Sequence, residues 1–495
     1  MKTQKRHEIA EQNLNCIFSP ICLVMSVEIA TFAKLKSIYI IMRKPILLLL
    51  LALSAGMTAA DYDLNKPFGF CTVSSRTDAS KTYNITGGGC YTYPVPSDFT
   101  GKVVTLTAQK NADGTPKDMR SAILNAIKSN KVVILDGSEG DFIVSSTIGL
   151  PSSQGSGKTL MGINNARLCT KWYVTDEIKA ALDKADVKHK SSTGGGGKLS
   201  NGESVGEERE MVTRQTIIDL TGDASEACRK AGILSLSGCS NVIIRNITFV
   251  GPGAVDVGGN DLLAFTESKN CWVDHCQFSD GLDGNFDITK SSNFVTVSWC
   301  TFSYTDRSYD HRNTNLIGSS DSEATGYLNT TFAFNWWGDK CDQRMPMARA
   351  GKIHMLNNYY TCAGNSSSIN PRKNSEFLVE GNYFDTGVKQ IFSQSGAVAV
   401  TWADNNYAVS ASKPSSFGET VTVPYDYTVA EVSTVPAAVK EQAGATLYKN
   451  TSGIQTLTKV EDNAQPALRY NLRGQRVGAD YKGIVIVNGK KVVNR

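Results

Sequence analysis

The chain carries little charge for its length. Asp, Glu, Lys and Arg make up 20% of its 495 residues, and the formal net charge is only +4. A nucleic-acid binder would show a strong basic stripe, so that class is set aside. Long hydrophobic runs are also missing. The apolar stretch at 46–53 is too short for a comfortable membrane span. No cysteine spacing makes a zinc site, since Cys271 and Cys276 straddle Trp272-Val273-Asp274-His275 with no matching second pair. Gly155-Ser156-Gly157-Lys158-Thr159 looks like a phosphate loop, but Ser152 stands where that motif requires its first Gly. Strand-like segments follow one another without room for a helix in each repeat, which disfavours leucine-rich repeats.

What is present begins with an export signal. Met42-Arg43-Lys44 opens a basic region, the apolar run follows, and small residues lead to Ala59-Ala60. The expected start is therefore Met42, with 1–60 an upstream extension plus a secretory signal peptide; the alternative is that 1–41 is a genuine leader or membrane anchor. Cleavage near Ala60 removes Cys16 and Cys22 of the 12 cysteines. The rest sit in an exported chain where disulfides are permitted, with Cys71–Cys90 and Cys341–Cys362 as candidate pairs. A main domain is expected over 61–446, with strands at 103–107 and 131–135 and a helix starting at Met119. An insertion at about 172–215 combines a helical stretch at 176–185 with a flexible run at 191–197. Residues 447–495 form a linker and a tail of two short strands. The tail resembles those that exported proteins of certain Gram-negative anaerobes use for sorting; alternatively it is a simple hairpin.

The middle of the chain repeats. Strand-like segments end in Phe249, Phe278, Phe302, Trp337, Tyr360, Phe384 and Tyr407, at intervals of 29, 24, 35, 23, 24 and 23. Such a period signals stacked coils, and β-rich segments of this length suit an all-β, right-handed parallel β-helix with a small strand-rich C-terminal tail. Asn335, Asn358, Asn382 and Asn405 each precede the repeat's aromatic by two positions. They either stack into an amide ladder or are ordinary turn residues; the shared offset favours the ladder. The two longer intervals predict loops that leave the coil, where function tends to sit.

Asp274, Asp283 and Asp287 are expected to come from neighbouring coils, which lie about 4.8 Å apart. They either converge on a hard cation such as Ca²⁺ or form a solvated acidic loop. Arg344 and Arg349 flank a Pro-stiffened segment and either clamp a planar carboxylate or form a surface basic pair. His275 and Trp272 read as structural, and Trp336 and Trp337 as core or sugar-stacking residues.

Together these residues resemble the pectate lyase superfamily, from about Lys158 to Ala445. "WVDH" (272–275), "DGNFD" (283–287), "LIGSSD" (316–321), "RMPMAR" (344–349) and "GKIHMLNNYY" (351–360) occur in the family's order. The resemblance implies a secreted, calcium-dependent enzyme that cleaves polygalacturonate by β-elimination. It implies Asp274, Asp283 and Asp287 as calcium ligands, Arg344 as the base and Arg349 as a substrate-binding arginine. One position departs: the family's Lys five residues before the Gly of "LIG" falls on Asn313, with Arg312 adjacent, so Arg312 is the candidate replacement. Met347, where Arg is common, is a lesser variation. The expected partner is an acidic plant cell-wall polysaccharide, met by a monomer without nucleic acid or a membrane span. The alternatives are a lyase for methyl-esterified pectin and a non-catalytic glycan-binding β-helix.

Overall fold

The computed structural model describes residues 58–186, 205–222, 232–255 and 260–449, and four short strands beyond them. Residues 1–57 of the expected extension and signal peptide and the run at 191–197 lie outside the described residues. Among the described residues, no helix is long and apolar enough to cross a membrane.

Strand residues alternate inward and outward. In Ser240–Arg245, Lys269–Asp274, Asn293–Ser298 and Glu376–Glu380, the side chains of Val242, Ile244, Cys271, Val273, Val295, Val297, Phe377 and Val379 enter one core. A strand with one buried apolar face in each coil must pair its backbone with the coils above and below. Three parallel sheets of ten, nine and seven strands result, and the chain visits them in turn. One coil runs through Lys269–Asp274, Gln277–Ser279 and Phe286–Thr289 before re-entering the first sheet at Asn293–Ser298. This is the expected parallel β-helix, right-handed as crossovers between parallel strands are.

The aromatic period marks one column of the core. Phe249, Phe278, Phe302, Trp337, Tyr360 and Phe384 stack in register, with ring centroids 4.9, 5.2, 5.4, 4.8 and 4.4 Å apart. The last member needs correction. Tyr407 pairs with Tyr383 on the outer face, and Ala408 takes the core position opposite Phe384. The amide ladder shifts with it: Asn335, Asn358 and Asn382 each donate to the next side chain at 3.1, 2.9 and 3.0 Å, and the final rung is Asn406, not Asn405. Asn405 accepts instead from the Gly381 N–H.

The turn just before this ladder needs a left-handed residue in every coil. Asn246, His275, Trp299, Phe334 and Asn357 all have φ between 48° and 59°. Asn adopts this region readily, whereas Trp and Phe are strained there. Stacking of Trp299 on Phe334, with centroids 4.4 Å apart, offsets the strain.

The ends and outer face are covered. Helix α1 (Arg120–Ser129) buries Ile123, Ala126 and Ile127 in the first coils. The ten-stranded sheet's outer face lies under both ends of the domain. The Phe70 and Cys71 N–H groups donate to Thr331 and Thr296 Oγ1 at 3.0 and 3.1 Å. Gly69, at φ +79°, lets the chain lie this close, since a β-carbon there would meet Thr331 Oγ1 at 2.7 Å. Helix α4 (Val435–Gln442) packs Val435, Ala438 and Val439 with Phe334 and Tyr359. The insertion holds α2 (Asp176–Lys184) and α3 (Val205–Thr221). The tail is a four-stranded antiparallel sheet rather than two strands. Lys158–Ile163 is an ordinary strand, and Lys158 Nζ donates to the Asn130 carbonyl, so the glycine run before it is no phosphate loop.

The nine described cysteines are all buried free thiols. The expected pairs fail because their members point to different neighbours. Cys71 packs with Ile85, Ile243 and Trp272, whereas Cys90 packs with Val132 and Ile134. Cys341 Sγ faces the Phe302 carbonyl at 3.3 Å, and Cys362 Sγ faces Met345 Sδ at 3.5 Å. Cys276 and Cys300 occupy the column that Asn335 continues: the Cys300 N–H donates to Asn335 Oδ1 at 2.9 Å.

The covered face also holds a buried acid–base pair. His354 Nε2 lies 3.0 Å from Glu380 Oε1, and Nδ1 lies 2.8 Å from the Tyr425 hydroxyl. Burial holds His354 below its ordinary value of 6.5 despite Glu380. Burial alone would raise Glu380, but hydrogen bonds from His354 and Tyr427 more than offset it, and the carboxyl sits below 4.5. Both groups bind protons less readily folded than unfolded, so both lose stability as pH falls, His354 from about 6.5 downward and Glu380 at lower pH. His354→Gln should flatten the fall in Tm between about pH 7 and 5 relative to the parent. Parallel Tm curves for the two proteins would show that His354 contributes nothing to it.

Candidate active site

Loops that lead from the nine- to the seven-stranded sheet stack in successive coils. Asp261 stands just before Leu263–Thr266, Asp283 just before Phe286–Thr289 and Asp287 within it. His311 and Asn313 precede Leu316–Ile317, and Arg344 precedes Met347–Ala348. These strands are neighbours in the seven-stranded sheet, so the side chains gather along one edge. The two intervals with extra length supply Asp261, His311 and Arg312, as the spacing predicts.

The gathering is close. A β-carbon at Gly284 would stand 2.6 Å from Asp261 Oδ1, which would have to move, and 3.6 Å from Asp287 Oδ1, so both carboxylates lie against this glycine. Asp283 Oδ1 lies 3.2 Å from His311 Nε2. Asp287 Oδ1 accepts from the Leu316 N–H at 3.0 Å. Burial, joined by the charge of Asp283, pushes Asp287 up to about 7, although Arg344, the Leu316 N–H and His311 act against it. Burial and the charges of Asp287 and Asp283 raise Asp261 well above the usual carboxylate range, with Arg344 again opposing. Burial and one another's charge thus drive two carboxyls toward their neutral forms, against the pull of Arg344.

Arg344 is a cation whose charge acts on both of them, and its backbone is fixed. It holds φ +60°, a strained region for a non-glycine residue that recurs at functional sites. Its carbonyl accepts from the Asn315 N–H at 2.7 Å, and the next N–H, of Met345, donates to the Ser368 carbonyl at 2.9 Å. Met345 is fully buried, and the Met345–Pro346 peptide is cis.

The other expected site residues fall in different places. Arg349 Nε donates to Asp321 Oδ1 at 2.7 Å and Nη1 to the Gly318 carbonyl at 2.9 Å, which ties "RMPMAR" to "LIGSSD". Arg312 is partly exposed, and its charge acts on Cys341. Asn313 is buried at 6% exposure beside the His311 ring, and its carbonyl accepts from the Tyr304 hydroxyl.

Asp274 requires a correction. It belongs to the same coil as Asp283 and Asp287, not to a neighbouring one, but lies on the ten-stranded sheet, away from both, and is fully buried. Oδ1 accepts from Ser298 Oγ at 2.7 Å, while Oδ2 accepts from Arg245 Nε at 2.8 Å and lies 2.7 Å from His275 Nδ1. Its oxygens are spent on protein partners, so it has none for a metal beside Asp287. Arg245 in turn reaches Asn65, the Tyr91 carbonyl and Tyr448 at 3.0, 3.0 and 3.2 Å, which ties both ends of the domain to the helix. Trp272 and Trp337 are core residues, and Trp336 donates Nε1–H to Thr361 outside the site.

Asp261 and His311 are the site residues that the sequence reading misses. A readable signal exists for Asp261. Leu263 pairs with Phe286, an offset of 286 − 263 = 23, which sets Asp261 over Gly284 of "DGNFD". Among the described residues, no group of three or more His, Cys, Asp or Glu closes into a ready metal cage. The donor chemistry still suits a hard cation that keeps part of its water, since the convergent carboxylates offer oxygen donors whose charge Arg344 and His311 offset only in part.

The fold is thus a parallel β-helix with carboxylates and an arginine brought to one edge of its seven-stranded sheet. The pectate lyase family model matches residues 189–448, and the chain belongs to that family. Pectate lyase A of Aspergillus niger is 37% identical over 217 residues, 42% of this chain and 63% of that protein. The match thus spans just under two thirds of that relative's length. Pectate lyase A of Emericella nidulans is 32% identical over 253 residues, 49% of this chain and 73% of that protein. Among solved structures, a pectate lyase of Bacillus sp. N165 in complex with trigalacturonate is 20% identical, covering 77% of this chain and 98% of that one at a TM-score of 0.43.

Proposed function

We propose that this protein is a secreted, calcium-assisted lyase that cleaves α-1,4-linked polygalacturonate by β-elimination. The observation that carries the reading is that Asp261, Asp283, Asp287 and Arg344 precede or lie in strands of the same seven-stranded sheet, with Asp261 and Asp287 both against Gly284. Asp261, Asp283 and Asp287 would hold the calcium, with water and substrate oxygens completing its shell. Bound calcium would supply positive charge to the uronate carboxylate, which acidifies the C5 proton and stabilises the enolate-like transition state. Arg344 removes the C5 proton, as its place in "RMPMAR" and its fixed backbone support. An arginine must be neutral to do so. Carboxylates engaged elsewhere no longer hold its charged form. Arg349, oriented by Asp321 and Gly318, grips a neighbouring uronate carboxylate.

Activity on polygalacturonate should appear as ultraviolet absorbance from a new C4–C5 double bond, and a chelator should abolish it. Saturated products with new reducing ends would mean hydrolysis and overturn the reading. Binding without cleavage would leave a glycan-binding β-helix. Faster turnover of methyl-esterified pectin, indifferent to chelator, would point to the pectin form of the reaction.

A further inference from the structure

The helical insertion packs on the loops that carry the candidate site. Ile178 and Leu182 of α2 and Ile217 of α3 share a small core with Val255 and Leu282, and Leu282 immediately precedes Asp283. Three polar ties from the insertion reach a single stretch, residues 305–311. Lys179 Nζ donates to the Asp306 carbonyl. The Tyr309 hydroxyl donates to Asp183 Oδ1 at 2.7 Å. Arg209 Nη1 and Nη2 donate to Asp310 Oδ1 and Oδ2 at 2.7 and 2.9 Å, and Nη1 also donates to the Val255 carbonyl at 3.1 Å. One guanidinium, 1% exposed, therefore fastens the loops before Leu263–Thr266 and Leu316–Ile317, strands that flank Phe286–Thr289 on either side in the seven-stranded sheet. Asp310 adjoins His311, which lies 3.2 Å from Asp283, and Arg312 follows.

We propose that Arg209 is a positioning residue for substrate binding. Its two-pronged contact fixes the planar Asp310 carboxylate, and with it the angle at which the 305–313 loop presents His311 and Arg312 to an acidic sugar chain. A loop of this length with no strand of its own needs such tethering to hold one geometry. Through Arg209, the insertion sets how tightly the polysaccharide is gripped without touching the reacting atoms. The inference rests on the lyase reading above.

The test uses the full chain with Arg209→Met, Asp310→Asn, the double variant and Arg209→Lys. Each of the first two should raise KM on polygalacturonate about tenfold, with a much smaller change in kcat, because the lost interaction serves ground-state binding. The double variant should be no worse than the worse single one, since both remove one contact. Arg209→Lys keeps the charge but not the fork and should fall between parent and Arg209→Met. Amide exchange at 305–313 should quicken in the variants while the coil strands stay protected. Folded variants with unchanged KM and unchanged exchange at 305–313 would overturn the proposal and leave Arg209 a structural pin. If Arg209→Met does not fold, Asp310→Asn decides the matter, since that side chain is 28% exposed. If the parent makes no unsaturated product, the lyase reading falls, and the exchange measurement alone then decides whether Arg209 positions the loop.

Discussion

Arg344→Lys should lower kcat on polygalacturonate by about a hundredfold or more, with a far smaller change in KM. The substitution keeps a positive charge near Asp261 and Asp287, the carboxyls that Arg344 opposes. It replaces a planar fork with a point charge on a shorter reach and changes basicity. The fold should tolerate it, because the backbone is held by the Asn315 N–H and the Ser368 carbonyl rather than by the side chain. If Arg344 only grips a uronate carboxylate, the loss should appear in KM with kcat largely kept. Initial rates from ultraviolet absorbance separate the two cases, and a thermal melt confirms that the variant is folded.

How legible the protein is from its sequence depends on which side of the coil wall a residue faces. The aromatic column is readable because large rings recur once per coil and stack in the core, from Phe249 to Phe384. The reading slips at the last coil because Tyr407 is also aromatic but stacks outside on Tyr383, while the core residue is Ala408. Disulfides suggested by compartment give way to thiols used as small apolar fillers, such as Cys271 and Cys300. Arg344, Asp283 and Asp287 lie in motifs that a linear reading finds. Asp261 was hidden because nothing in its own segment marks it, and only coil register sets it over Gly284. The placing of Asp274 could have been read by period two. It shares a face with Trp272, already taken for packing, and both lie under the N-terminal segment, where Tyr91 meets Trp272.

Asp274→Ala and Asp287→Asn should therefore fail in opposite ways. Asp274→Ala leaves Arg245 buried without its carboxylate. Removing one partner of such a pair costs about 3–5 kcal/mol. Because Arg245 also ties Leu64, Asn65, Tyr91 and Tyr448 to the helix, the loss should loosen both ends of the domain. The variant should show a sharply lower Tm, and added calcium should not restore it. Asp287→Asn removes a charge from a place where burial and Asp283 already disfavour it, so the folded protein should keep or raise its Tm. Its activity should nevertheless drop by about a hundredfold, with partial recovery in excess calcium, as expected for the loss of one hard oxygen ligand. Full activity of Asp287→Asn in chelator would remove the metal from this edge of the sheet. An Asp274→Ala protein that melts like the parent, yet needs extra calcium to work, would return Asp274 to the metal and show that its contacts with Arg245 and Ser298 are dispensable. Melting curves and rates measured on the same two preparations, with and without calcium, distinguish a residue that builds the wall from one that serves the reaction.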